Sequence, residues 1–300
     1  MERKLVICLC LSILVACFSA YSQTVQSLIA PGANVEKLAE GFSFTEGPAV
    51  DNLGNVYFTD QPNNRIFVWT VEGALATFHE NPGRANGLYF DKQNRLLSCS
   101  DMDNEIWRFE ADGTHTVLVT DYDGKKLNGP NDLWVHPNGG VYFTDPLYKR
   151  DYWTRNPDMQ QEGQYLYYLT PDLQSVKRID TDFEQPNGII GSPDGKLLYV
   201  ADIRARKTYV YDIQPDGSLT NRRLFTSMGS DGMTMDEKGN IYLTGRGVTV
   251  FNPAGEQIGQ IPVEANWTAN VCFGGKDMQT LFITASQYLY SLRMNVKGVR

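Results

Sequence analysis

The sequence predicts an all-β fold, a six-bladed β-propeller closed by an N-terminal strand in the last blade. Three observations carry that prediction. First, one unit recurs six times: a short apolar stretch, a polar turn containing Gly or Asp, and a second apolar stretch, as in EGPAVDNLGNVYFTD from Glu46. Second, the units start at Glu46, Asn86, Asn131, Asn187, Asp231 and Asn270, spaced by 40, 45, 56, 44 and 39 residues. A period of that size with strand–turn–strand content marks propeller blades. Third, the last unit ends with residues 288–294, one strand short. Residues 35–39, upstream of the first unit, supply the missing strand, and pairing them into the last blade removes two open edges.

The elements follow in order. Arg3 and Lys4 precede an apolar run over 5–18 and then small residues, a charged start and a hydrophobic stretch too short to span a membrane. Two processing readings compete. Ala20-Tyr21-Ser22 offers a cleavage site that makes 1–22 a signal peptide. Leu14-Val15-Ala16-Cys17 instead resembles a lipobox, in which the signal ends before Cys17 and that residue carries a lipid anchor. Either way the protein is exported, as a periplasmic or secreted protein or a membrane-anchored lipoprotein. Residues 23–300 then form a single propeller domain, because the repeat is uniform and no linker-like composition interrupts it.

In the first blade, Pro48-Ala49-Val50 reads as strand, 51–55 as a turn rich in Asp, Asn and Gly, and 56–59 as a β-branched and aromatic strand. Residues 65–70 and 74–78 complete four antiparallel strands, one blade. The second blade closes with 105–109 and 116–119, the fourth with 207–213 and 219–225, and the fifth with 248–251 and a strand near Ile258. The third is interrupted between Asp145 and Gln164, which explains the 56-residue spacing. Propeller insertions map to one end, where sites sit. Tyr148, Lys149, Tyr152 and Trp153 of this insertion either form a lid over the channel or decorate the surface.

The formal net charge is −8, and −9 without the leader. That acidity argues against a nucleic-acid partner, which needs a basic face, and suits a site that attracts cations. No protein partner is indicated. Of five cysteines, only Cys99 and Cys272 remain outside the leader, at different phases of the repeat. No disulfide is expected, so the core holds the fold. Asn266-Trp267-Thr268 is a glycosylation sequon with no assigned function.

Cyclic repetition places the first residue of each unit on a ring at one channel mouth: Glu, Asn, Asn, Asn, Asp, Asn. Turn formation explains Asn and Asp there but not Glu46. Carboxylate and amide oxygens without thiolates or imidazoles suit a hard cation, and two carboxylates balance a divalent one. The side chains are too few for the six to eight ligands calcium takes, which leaves positions for water or substrate. His79, His115 and His136 do not recur at this phase, so zinc fits less well.

Phe44-Thr45-Glu46-Gly47-Pro48, Pro130-Asn131-Asp132-Leu133, Phe143-Thr144-Asp145-Pro146, Pro186-Asn187-Gly188-Ile189 and Ser230-Asp231-Gly232-Met233 together resemble the SMP-30/gluconolactonase family, in order over essentially the whole chain past the leader. The resemblance implies a six-bladed propeller with a central divalent cation, usually Ca2+, that hydrolyses a small-molecule lactone, often a sugar lactone. Carried over residue by residue, it implies Glu46, Asn131, Asn187 and Asp231 as metal ligands, with Asp231 also the catalytic base. Asn86 and Asn270 match no metal ligand and either touch substrate or cap strands. Asn131, Asn86, Arg84 and Tyr148 make the expected substrate-contacting set. Two other readings stand beside a lactonase. One is a different reaction on a sugar-derived or ester substrate at the same site. The other is a non-catalytic propeller that binds carbohydrate or protein around a structural ion. No G-x-S-x-G elbow is present, which disfavours covalent serine catalysis.

Overall fold

The computed structural model describes residues 23–299 apart from Ala111. Both readings of the leader fall on residues 1–22 and lie outside the described residues. Six four-stranded antiparallel sheets follow one another around a ring. Their innermost strands are Thr45–Val50, Ala85–Phe90, Leu133–Val135, Pro186–Gly191, Met233–Met235 and Thr268–Gly274. The last blade is completed by Glu36–Glu40, which pairs antiparallel with Tyr288–Arg293. The closing strand therefore lies one residue beyond the expected 35–39. A helical turn, Val25–Leu28, packs its buried Val25 and Leu28 against the last two blades.

Two sets of side chains shape the blades. At the inner hairpins, Asp51 Oδ1 accepts from the Leu53 and Asn55 N–H groups at 2.9 and 2.8 Å. The Asn55 amide donates back to Asp51 Oδ2 at 2.8 Å. Asp236 and Asn240 repeat the arrangement in the fifth blade. Such local bonds give the turn the partners its backbone would otherwise lack.

At the other end, an aspartate closing each of three second strands clamps the chain entering its own inner strand. Asp60 accepts from the N–H groups of Ser43 and Phe44, Asp145 from Asn128 and Gly129, and Asp202 from Glu184 and Gln185. These segments lead directly into Glu46, Asn131 and Asn187. Between blades, Thr59, Thr144 and Thr244 hydroxyls donate to the carbonyls of Asn86, Asn187 and Ala269 in the next blade.

The ring residues do not all precede the inner strands. Glu46, Asn86, Asn187 and Asn270 lie inside them, at points where strand pairing shifts register. The bulge lets the side chain leave the pleat toward the channel. It also brings adjacent inner strands close together. The Gly87 N–H donates to the Asn131 carbonyl at 2.7 Å. A Cβ on Gly47 would fall 2.0 Å from the Asn86 carbonyl oxygen, and one on Gly87 2.6 Å from that of Asn131. Only glycine fits there.

The core lies between blade faces, where Trp134, Tyr142, Tyr167, Tyr168 and Phe143 are fully buried. The Tyr142 hydroxyl donates to the Gly217 carbonyl at 2.9 Å, so a large aromatic is buried without leaving its polar atom unpaired. Cys99 and Cys272 are buried and free.

Gly87→Ala tests the close approach. Overpacking of this kind costs about 1–3 kcal/mol, so the urea midpoint should fall with an unchanged slope. An unaltered midpoint would show that the inner strands are free to move apart.

Candidate active site at the channel mouth

The ring assembles at one mouth as a buried polar cluster. Glu46, Asn86, Asn131, Asn187 and Asn270 are buried and Asp231 partly so. Asn187 is its hub. The Asn187 amide nitrogen donates to Asp231 Oδ1 at 2.9 Å and to the Tyr148 hydroxyl at 2.8 Å. Its Oδ1 is buried with no partner. The other oxygen of Asp231 accepts from the Trp267 indole N–H at 2.5 Å. Glu46 Oε2 accepts from the Gly47 N–H at 2.8 Å. The Asn270 amide donates to Asp132 Oδ2 at 3.3 Å, joining the third blade to the sixth. Asn86 Oδ1 is also buried without a partner.

Asn131 is held through its backbone, its N–H on the Thr144 carbonyl at 2.9 Å and its carbonyl on Gly87. Arg84 takes a left-handed backbone, φ 49°. Its guanidinium donates to the carbonyls of Gln61 and Pro62 and stacks 4.2 Å from the Tyr152 ring centroid. Arg84 therefore braces the rim of the site.

Electrostatics make the cluster unusual. Burial pushes the Glu46 carboxyl well above the usual range, and the charge of Asp231 adds to the effect. Burial raises Asp231 too, against the lowering effect of the Trp267 and Asn187 bonds. Asp132 is pushed up to about 7, again chiefly by burial. The guanidinium of Arg150 opposes the charges of both Glu46 and Asp231. Like carboxylates crowded into a dry site resist joint ionisation unless a cation shares it.

The residues present fit such a cation: two mutually repelling carboxylates, and an amide oxygen, Asn187 Oδ1, left buried without a hydrogen atom to accept. Among the described residues no three Asp, Glu, His or Cys side chains are drawn into a metal cluster. The expected ligand set holds only two such groups, its other members being amides.

The insertion forms a lid. Tyr148 reaches Asn187, and Arg150 lies 5.0 Å over the Tyr148 ring. The lid is pinned by Asp101 of the second blade, which accepts from the Trp153 indole N–H at 2.9 Å and the Gln61 amide at 3.2 Å. Arg155 stacks 3.4 Å from the Trp153 ring and donates to the Asn128 carbonyl at 2.7 Å. Of the residues singled out in the sequence, Tyr148 reaches the ring, while Tyr152 and Trp153 anchor the insertion against Arg84 and Asp101. Lys149 does neither: it points outward and pairs with Asp158 across exposed side chains. The neighbouring Arg150 turns in instead.

Sequence reasoning missed Asp132, Trp267, Arg150 and Asp101. Asp132 carried a signal, since it stands where four other blades place Gly47, Gly87, Gly188 and Gly232. Trp267 was hidden in a sequon.

A six-bladed propeller with an oxygen-lined acidic mouth under a lid defines a class of small-molecule propeller proteins, and comparison narrows it. The model of the SMP-30/Gluconolactonase/LRE-like region matches residues 44–287, and the chain belongs to that family. It is similar to a gluconolactonase of Zymomonas mobilis, 28% identical over 310 residues, covering 93% of this chain and 86% of that one. A gluconolactonase structure from Xanthomonas campestris superposes with a TM-score of 0.83 at 30% identity, over 90% and 92% of the two chains. A calcium-binding regucalcin from Agrobacterium tumefaciens superposes with a TM-score of 0.74 at 21% identity, over 90% and 95%, a likeness of fold.

Asp101 makes a prediction about pH. Burial pushes it from 3.8 to about 6, although Trp153, Arg150 and Arg155 pull it down. A carboxyl raised in the folded state contributes stability that is complete below its unfolded value and is lost as pH rises through about 6. At about 1.4 kcal/mol per unit, the loss is on the order of 3 kcal/mol. Urea unfolding of Asp101→Asn and wild type should therefore show the variant gaining on wild type between pH 4 and pH 7. A constant gap would remove Asp101 as the titrating group.

Proposed function

We propose that this protein is an exported, metal-dependent lactonase of the gluconolactonase type, a carboxylic-ester hydrolase that opens a sugar lactone to its hydroxy acid. The observation that carries the reading is the Glu46–Asn187–Asp231 cluster, with its orphaned amide oxygen, in a chain of this family. The gluconolactonase relatives support the reaction class. Glu46, Asn131, Asn187 and Asp231 would hold the ion, Ca2+ by its oxygen ligands, with another divalent cation as the alternative. Once bound there, the ion supplies Lewis acidity to a carbonyl oxygen.

The chain's own residues do the rest. Asp231 takes the proton of the attacking water as it adds to the lactone carbonyl carbon. When the ring C–O bond breaks, Asp231 returns that proton to the leaving oxygen, and the hydroxy acid is released. Trp267 and Asn187 each bond one oxygen of Asp231 and so fix the direction in which it works. Asn131, Asn86 and Tyr148 line the space for substrate, and Arg84 acts there through the Tyr152 ring it braces. The lid excludes bulk water.

Export rests on the charged and apolar leader. Mass spectrometry of the mature N-terminus would separate a chain beginning at Gln23 from one lipidated at Cys17.

Two carboxylate variants test the roles. At saturating calcium, Asp231→Asn should lower kcat for D-glucono-δ-lactone by on the order of 10²–10⁴, because it keeps an oxygen and loses the base. Glu46→Gln should mainly weaken metal affinity and recover turnover when calcium is raised. Recovery by Asp231→Asn and not by Glu46→Gln would reverse the two assignments.

Chelator treatment tests the metal. Dialysis against EDTA should abolish acid release from the lactone, and added Ca2+ should restore it. Full activity after chelation would end the metal-dependent reading.

A further inference from the structure

The lid carries polar groups that the mechanism above does not use. Arg150 packs its guanidinium 5.0 Å over Tyr148, the residue bonded to Asn187 at the centre of the ring. Its Nε–H is buried and has no acceptor. The Tyr152 hydroxyl, two residues on, is likewise buried and unpartnered, and so is Asn86 Oδ1. Tyr152 is tied to the Asn86 side of the mouth through Arg84, which stacks on its ring at 4.2 Å.

A buried polar group without a partner forfeits its hydration with nothing in return, and a charged one forfeits most. Three such groups at one mouth are hard to explain as structure. Arg155, five residues along the same insertion, shows the contrast: its donors are taken up by Asn128 and Asp101 and it serves as a brace. Arg150 has the opposite character. Its charge opposes the acidic cluster, and its buried Nε–H has no acceptor.

We propose that Arg150 and Tyr152 are specificity-determining residues, which with Asn86 bind the ring hydroxyls of a polyhydroxylated lactone. The inference rests on the lactonase reading for its substrate. The chemistry is complementary: a sugar hydroxyl accepts from Arg150, exchanges a hydrogen bond with Tyr152, and donates to Asn86 Oδ1. A lactone without hydroxyls leaves all three groups unsatisfied. A site with buried polar groups discriminates strongly against a ligand that cannot pair them.

The test compares D-glucono-δ-lactone with δ-valerolactone, the same ring without hydroxyls. Arg150→Met keeps the length and apolar stacking on Tyr148. It should raise KM for the hydroxylated lactone by at least about tenfold, the loss of one charge-assisted bond. The charge of Arg150 also faces Glu46 and Asp231, so part of any loss should be common to both substrates, and the rise in KM for the hydroxylated lactone should exceed that for δ-valerolactone by about tenfold. Tyr152→Phe should move in the same direction by less, and Arg150→Lys should recover part of the loss. Equal losses on both substrates would make Arg150 a brace of the lid and overturn the proposal, as would no loss on either.

Binding provides a readout independent of turnover. D-Glucono-δ-lactam and δ-valerolactam can be titrated against the fluorescence of Trp153 and Trp267. Wild type should prefer the hydroxylated lactam by tenfold or more, and Arg150→Met should lose that preference. Equal preference in the two proteins, or none in wild type, overturns the assignment even in a protein that hydrolyses no lactone.

Discussion

The site depends on one steric fact: adjacent inner strands run so close around the channel that the residue after Glu46, Asn86, Asn187 and Asp231 must have no side chain. The carbonyl of Asn86 lies where a Cβ of Gly47 would be, and that of Asn131 where a Cβ of Gly87 would be. This spacing gathers side chains from six blades into one mouth. It also sets the polarity of the mouth. Backbone groups packed this tightly bond across the ring, as Gly87 does to Asn131, and the side chains are left to meet one another and whatever enters. A wider ring would put water between them, and the carboxyl groups would titrate normally.

A second set of aspartates makes the first set possible. Asp60, Asp145 and Asp202 are buried and spend their oxygens on backbone N–H groups just upstream of Glu46, Asn131 and Asn187. These clamps fix where the ring residues start. The ring carboxylates have few such partners: Glu46 accepts one backbone N–H, and Asp231 accepts from an indole and an amide. The same residue type is therefore structural where it is saturated with donors and chemically available where it is not. The difference lies in how the oxygens are used and not in ionisation, since burial pushes the clamp Asp145 up to about 7 as it does Asp132 of the mouth.

The period of the repeat and its missing final strand were enough to read the closed six-bladed ring, because strand alternation and turn chemistry are local properties. The ring itself was legible for the same reason: equivalent positions in a cyclic repeat must be neighbours. What escaped was everything set by contact between distant segments. Nothing near Trp267 in sequence marks it as the partner of Asp231, and Arg150 differs from the outward Lys149 only by one position in an irregular loop. Asp132 was an intermediate case. It breaks the glycine pattern at its phase, and that break carries the meaning, since its carboxylate reaches across to Asn270.

These late contacts decide how the site behaves electrically. Glu46, Asp132 and Asp231 crowd three carboxyl groups into a space where burial alone raises each of them. Within the described cluster, the Arg150 guanidinium opposes the charges of Glu46 and Asp231. One guanidinium balances one carboxylate, and the divalent cation proposed above would balance the other two. The mouth would then be close to neutral when it receives a neutral lactone. Arg150 thus ties the charge of the cluster to the insertion, the least regular part of the chain, which is itself bound to the rigid blades through Asp101, Trp153 and Arg155.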